Sequence, residues 1–199
     1  MQLKKLVKIS QVSHLHDARY GAGMGVPMLG VSLEPSAPHF VRAETFKEIR
    51  NWIVGPRWVG EMDGRPLVGL TDYKLDFLQT AAPEALHELS AYELPLILKI
   101  ETTDPQSWET LMQAHQEQVT YFLLDPETPV DLNEELENKL IKLAARFPIL
   151  LGFGISPSNI ERLTESELSG FALRGSEEEK VGYKDFDDLA EVLEQLEEY

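Results

Sequence analysis

Val7-Lys8-Ile9-Ser10, then His16-Asp17-Ala18-Arg19, Gly21-Ala22-Gly23-Met24-Gly25 and Leu29-Gly30-Val31, make up the stretch on which the fold reading turns. Two short apolar runs rich in β-branched residues, Leu6 to Ser10 and Met28 to Leu33, bracket a segment long enough for one helix. Such runs suit a pleated strand, so the segment reads as strand, helix, strand.

The same alternation continues along the chain. Further strand candidates are Arg57 to Gly60, Phe77 to Gln79, Leu96 to Ile100, Tyr121 to Leu124, Ile149 to Gly152 and Gly170 to Arg174, which makes eight. Leu96-Ile97-Leu98-Lys99-Ile100 and Ile149-Leu150-Leu151 are nearly continuous in apolar residues, as parallel strands covered on both faces are. Helical punctuation lies between them. Asp104-Pro105 opens one helix, with Trp108, Leu111 and Ala114 on a face. Asp131 with Glu134 reads as a cap and N3 pair ahead of Leu136, Leu140, Ile141, Leu143 and Ala144. Ser156-Pro157 reads as N-cap and N1 of another helix, and Asp185 as the cap of the last, whose buried face is Phe186, Leu189, Ala190, Val192, Leu193 and Leu196. The helix after Pro66 is poorly patterned. Eight units of about 25 residues fit a closed barrel or an open doubly wound sheet, and no glycine-rich dinucleotide fingerprint follows the first strand.

Composition narrows the function. The chain has 199 residues, no Pro/Gly/Ser linker, and 43% hydrophobic content, so residues 1–199 are expected to form one domain. It has no cysteine, which excludes disulfides, thiolate-ligated zinc and cysteine catalysis. A net charge of −16 argues against nucleic acid and anionic membrane as partners, since both demand a basic footprint. No run reaches the roughly 18 to 20 apolar residues of a membrane span, and a cytoplasmic location is expected.

The opening motif resembles that of phosphoribosylanthranilate isomerase, whose first strand reads Val-Lys-Ile-Cys-Gly and whose first helix begins with Asp-Ala. The resemblance continues in order through Pro35-Ser36-Ala37-Pro38-His39-Phe40-Val41, Gln79, Leu96 to Lys99, Leu123-Leu124-Asp125, Gly154-Ile155-Ser156-Pro157-Ser158-Asn159 and Gly182-Tyr183-Lys184-Asp185. It implies a single-domain (β/α)₈ TIM barrel with its site at the C-terminal ends of the strands.

The resemblance also implies a reaction, an Amadori aldose-to-ketose isomerisation of a phosphoribosyl amine in tryptophan biosynthesis, with no cofactor and no metal. In that family an Asp ending strand six is the general acid and a Cys ending strand one the base. Asp125 matches the acid. Ser10 stands at the base, and a hydroxyl cannot replace a thiol without an adjacent activating group. The family's carboxylate-holding Arg corresponds to His39, whose neutral imidazole lacks the bidentate charged contact. Gln79, Lys99, Gly154, Gly175 and Ser176 are the remaining substrate-binding candidates. The loop from Asp125 to Asp131 has no glycine where the family cradles phosphate, and Phe153 replaces the first glycine of a pair.

The implied partner is a small molecule, a phosphorylated sugar among the candidates, for a monomer or homodimer whose isomerase activity is lost or strongly reduced. A non-catalytic binding or interaction protein on the same barrel is the alternative. Three other constellations have the right residue types: Ser10, His39 and Asp125 as a hydrolase triad; Glu61, Asp63, Glu101 and Asp125 as a carboxylate ring for Mg²⁺ or Ca²⁺; and His14 or His16 as a replacement base. Lys99 is placed to pair with Asp125 from the neighbouring strand.

Overall fold

The computed structural model describes residues 2–64, 69–128, 130–174, 178–180, 183–184 and 187–198. Eight parallel strands close into a barrel in sequential order: β1 (Leu6–Ser10), β2 (Met28–Ser32), β3 (Arg57–Met62), β4 (Phe77–Thr80), β5 (Leu96–Ile100), β6 (Tyr121–Leu124), β7 (Ile149–Leu151) and β8 (Gly170–Arg174). Closure is by β1 against β8, in register from Leu6 with Gly170 to Ser10 with Arg174. The eight runs read as strands are these eight, shifted by at most two residues at their ends. A short antiparallel pair, β9 (Glu178–Lys180) and β10 (Tyr183–Lys184), follows β8.

The intervening helices are α1 (Leu15–Gly23), α2 (Ala43–Trp52), α3 (Leu86–Leu89), α4 (Pro105–His115), α5 (Glu134–Ala144), α6 (Ile160–Thr164) and α7 (Asp187–Gln195). Among the described residues the third unit has only the single 3₁₀ turn Leu70–Asp72, as the weak patterning there foreshadowed. No helix among the described residues is long and apolar enough to cross a membrane.

Most of the core lies between strands and helices. Trp108, fully buried on α4, shows why the polar edge of an indole must be satisfied as it is packed: its Nε1 donates to Thr102 O at 2.7 Å, and its ring lies 5.9 Å from Phe153. Met112, not Ala114, shares its buried face, because Ala114 turns to solvent. A second cluster fills the barrel's lower interior: Met28, Val59, Phe77, Ile97, Leu123, Leu150 and Ala172. These residues alternate along their strands with the outward core, as the two-residue period requires.

Two expected helix starts change and one holds. Asp104 does cap α4, accepting from Gln106 N at 3.0 Å. The cap of α5 is Asn133, whose Oδ1 accepts from Leu136 N at 2.9 Å, while Asp131 offers only its carbonyl, to Asn133 N. Ser156-Pro157 forms a turn, and α6 begins at Ile160. Asp185 and Phe186 fall outside the described residues. Replacing Asn133 by Ala is expected to lower stability by about 1 kcal/mol in a denaturant titration, and Asp131→Ala to leave it within experimental error.

Candidate active site at the barrel mouth

Above the apolar layer the inward positions become charged. Lys8, two residues before the end of β1, is completely buried, and its Nζ is ion-paired with Glu61 Oε1 from β3 and donates to Ser10 Oγ at 2.7 Å. The pair lies over Gly30 of β2, where a Cβ would collide with Glu61 Oε1 and come within 3.1 Å of Lys8 Nζ. The other carboxylate oxygen, Glu61 Oε2, accepts from Gln11 N at 3.0 Å. Gln11 is left-handed at φ 59, a conformation that costs a side-chain-bearing residue about 1 kcal/mol and that this bond helps to hold.

A second group closes the far side of the mouth. Asp125 follows β6 directly and is 6% exposed, with room for its Cβ because Gly152 stands beside it. Its Oδ2 is ion-paired with Arg174 at the end of β8, and Lys99 Nζ of β5 is 3.9 Å away. Lys99 in turn donates to Glu101 Oε1 at 2.5 Å. Gln79 of β4, 5% exposed, faces the same mouth, and its Oε1 has no hydrogen-bond partner among the described residues.

Asp63 stands on the rim after β3. Its pKa is raised, first by partial desolvation and then by Glu101, Glu34 and Glu61, with Lys99 opposing. Among the described residues no three of the histidines and carboxylates are grouped as a metal site. Glu61, Glu101 and Asp125 each have a lysine or arginine as partner instead.

Ser10, Gln79, Lys99 and Asp125 therefore line one cavity, together with Glu61, Asp63 and Arg174, and its volume is only about 50 Å³. That is room for one or two water molecules. His39 is not brought there. The β2–α2 loop folds on itself, with Phe40 N donating to Ala37 O and Val41 N to Ser32 O, so that Ala37 reaches the mouth and His39 does not. No hydrogen bond links Ser10, His39 and Asp125 into a triad among the described residues. His14 precedes α1 and His16 lies in its first turn, both exposed and absent from the mouth's lining.

Gly154 has φ +64 and abuts Leu132, 2.7 Å from where its Cβ would stand, so this loop requires glycine for packing. It borders a separate, larger cavity that shares Asp125 and Arg174 with the mouth. Ser156 N, beside this cavity, is already given to Asn159 Oδ1 at 2.9 Å. Gly175 and Ser176 lie outside the described residues.

No protein-family model matches the sequence, and no curated protein matches it either. Solved structures do. Phosphoribosylanthranilate isomerase from Thermotoga maritima superposes with a TM-score of 0.78 at 18% identity, over 96% of this chain and 97% of that one. The Thermus thermophilus isomerase gives 0.76 at 22% identity, with the same coverage of 96% and 97%. The fold is that of phosphoribosylanthranilate isomerase. A 3-keto-L-gulonate-6-phosphate decarboxylase from Vibrio cholerae aligns over 96% of this chain and 97% of its own at a lower TM-score, 0.62, and 14% identity. The barrel fold is thus shared with these structures over nearly the whole chain.

The Lys8–Glu61 pair was not anticipated, although Lys8 stands two residues before Ser10 and Glu61 two after Val59, both inward by strand period. What the sequence could not show is that β1 and β3 face each other across a glycine. Removing one charge of a buried pair strands the other. Glu61→Leu should cost about 3–5 kcal/mol in chemical denaturation, and the double variant Lys8→Met/Glu61→Leu should recover most of that loss.

Asp63 gives a pH prediction. Because its folded-state pKa is raised above 3.8, its contribution to stability is full below that value and is lost as pH rises through the raised one. Asp63→Asn should therefore melt above the parent at pH 7, with the difference vanishing below about pH 3.8.

Proposed function

We propose that this barrel no longer carries out the aldose-to-ketose isomerisation at a useful rate and serves in the cytoplasm as a small-molecule binding protein. The observation that carries the reading is the state of the two positions matching the family's acid and base. Asp125 is the anion of an ion pair with Arg174, with Lys99 close by, and Ser10 Oγ faces the ammonium of Lys8. A serine becomes a base or nucleophile only beside a group that takes its proton, and an ammonium is a donor. Each proton-transfer group is worth about 10²–10⁴ in rate, so the loss of the base alone is severe.

Space supports the same conclusion. The mouth that holds Ser10 and Asp125 offers only about 50 Å³ of its own, whereas ligand pockets generally run to about 300–1,000 Å³. Opening the mouth means separating charges that the barrel has removed from water. His39 stays outside the lining, so the carboxylate clamp is missing as well. The fold by itself does not specify chemistry, because one barrel hosts many activities.

Complementation of a tryptophan auxotroph lacking the isomerase tests this. The gene should not restore growth, and Ser10→Cys should not rescue it, since the clamp and the open mouth are also absent. Growth at the wild-type rate, abolished by Asp125→Asn, would overturn the reading and establish an active aldose–ketose isomerase.

A further inference from the structure

The larger cavity beside the mouth measures about 620 Å³ and lies between the β6–α5 and β7–α6 loops, the end of β8 and α7. Its wall is apolar, with Val130, Phe153, Ile155, Leu189 and Val192 among the lining residues. Among the described residues the ionisable groups that line it are Asp125, Glu127 and Arg174, one cation against two anions. Arg174 is already ion-paired with Asp125. Glu127 is exposed, with no ion pair or hydrogen bond among the described residues.

From this juxtaposition we infer that the cavity binds an amphipathic amine: an apolar or aromatic body against Phe153, Ile155 and α7, with one ammonium group directed to Glu127 and the Asp125 edge. The inference rests on the reading above, that the barrel binds a small molecule without isomerising it, and names the class of that ligand.

Charge decides between the alternatives. A phosphate or carboxylate would have to draw Arg174 away from Asp125 while facing two carboxylates, in a protein of net charge −16. An ammonium leaves the Arg174–Asp125 pair intact and gives Glu127 a counter-ion. Three positions of this wall offer an anion no backbone donor, because Pro126 and Pro157 have no N–H and Ser156 N is given to Asn159. Phe153, where the resemblance places glycine, adds aromatic bulk to this apolar wall, its ring 5.9 Å from that of Trp108.

Amide chemical shifts of the full chain, titrated separately with 2-phenylethylammonium, 3-phenylpropionate, methylammonium and inorganic phosphate at matched ionic strength, test the inference. The aromatic amine should saturate, with shifts centred on Phe153, Ile155, Leu189 and Val192. Its affinity should exceed that of each other probe by about tenfold or more, and Glu127→Gln should weaken it about threefold to tenfold. Failure of every probe to saturate, phosphate or phenylpropionate binding at least as well, or amine shifts centred elsewhere would each overturn it. Isomerase activity enters none of these readouts, so growth of the complemented auxotroph would sink the functional reading and leave this titration standing.

Discussion

A lysine and a glutamate removed from water inside a barrel constrain everything above them. Taking two such charges out of solvent costs several kcal/mol each, and only close pairing with further hydrogen bonds offsets it. The Lys8–Glu61 pair meets that condition by drawing in Ser10 Oγ and Gln11 N, and it requires Gly30 beneath it. Ser10 is therefore oriented by the ammonium rather than presented to a ligand. The floor of the mouth is fixed before any loop is placed.

The upper group obeys the same rule. Asp125, Lys99, Glu101 and Arg174 come from β6, β5, the loop after β5 and β8, so one ionic network ties together strands on the side away from β2 and β3. Asp125 is the buried member while Arg174 stays part-exposed, so it is the carboxylate that depends most on its partners. Shared architecture with the isomerases consequently says little about shared chemistry. The strands hold the same positions, while the side chains at their ends satisfy each other.

Much of the fold was legible because its signals are local. Runs such as Leu96 to Ile100 are bounded and apolar, and Asp104-Pro105 carries its helix start in two residues. Misreadings came where two local solutions compete: Asp131 and Asn133 are both good caps two residues apart, and the backbone bond from Asn133 N to Asp131 O settles in favour of the later one. Ser156-Pro157 looked like a helix start, yet Asn159 ties the turn to Gly154 and delays α6. The site was legible as a set of positions and not as a set of partners. Ser10, Gln79, Lys99 and Asp125 each end or nearly end a strand, which any barrel brings together. Pairings such as Lys8 with Glu61 and Arg174 with Asp125 span 53 and 49 residues, and nothing nearby in sequence encodes them.

The closure of β1 on β8 has a kinetic consequence. Five residue pairs join strands separated by most of the chain, so the loop closed in forming them is nearly as long as the molecule. Long-range pairing of this kind is entropically slow, and parallel strands cannot shorten it with a hairpin. Until Gly170–Arg174 has been synthesised and docked, β1 has an unpaired edge, and Ser10 has no Arg174 beside it. A nascent chain arrested before β8 would present that edge to any neighbouring strand, which makes the last seam of the barrel its point of vulnerability to misassembly.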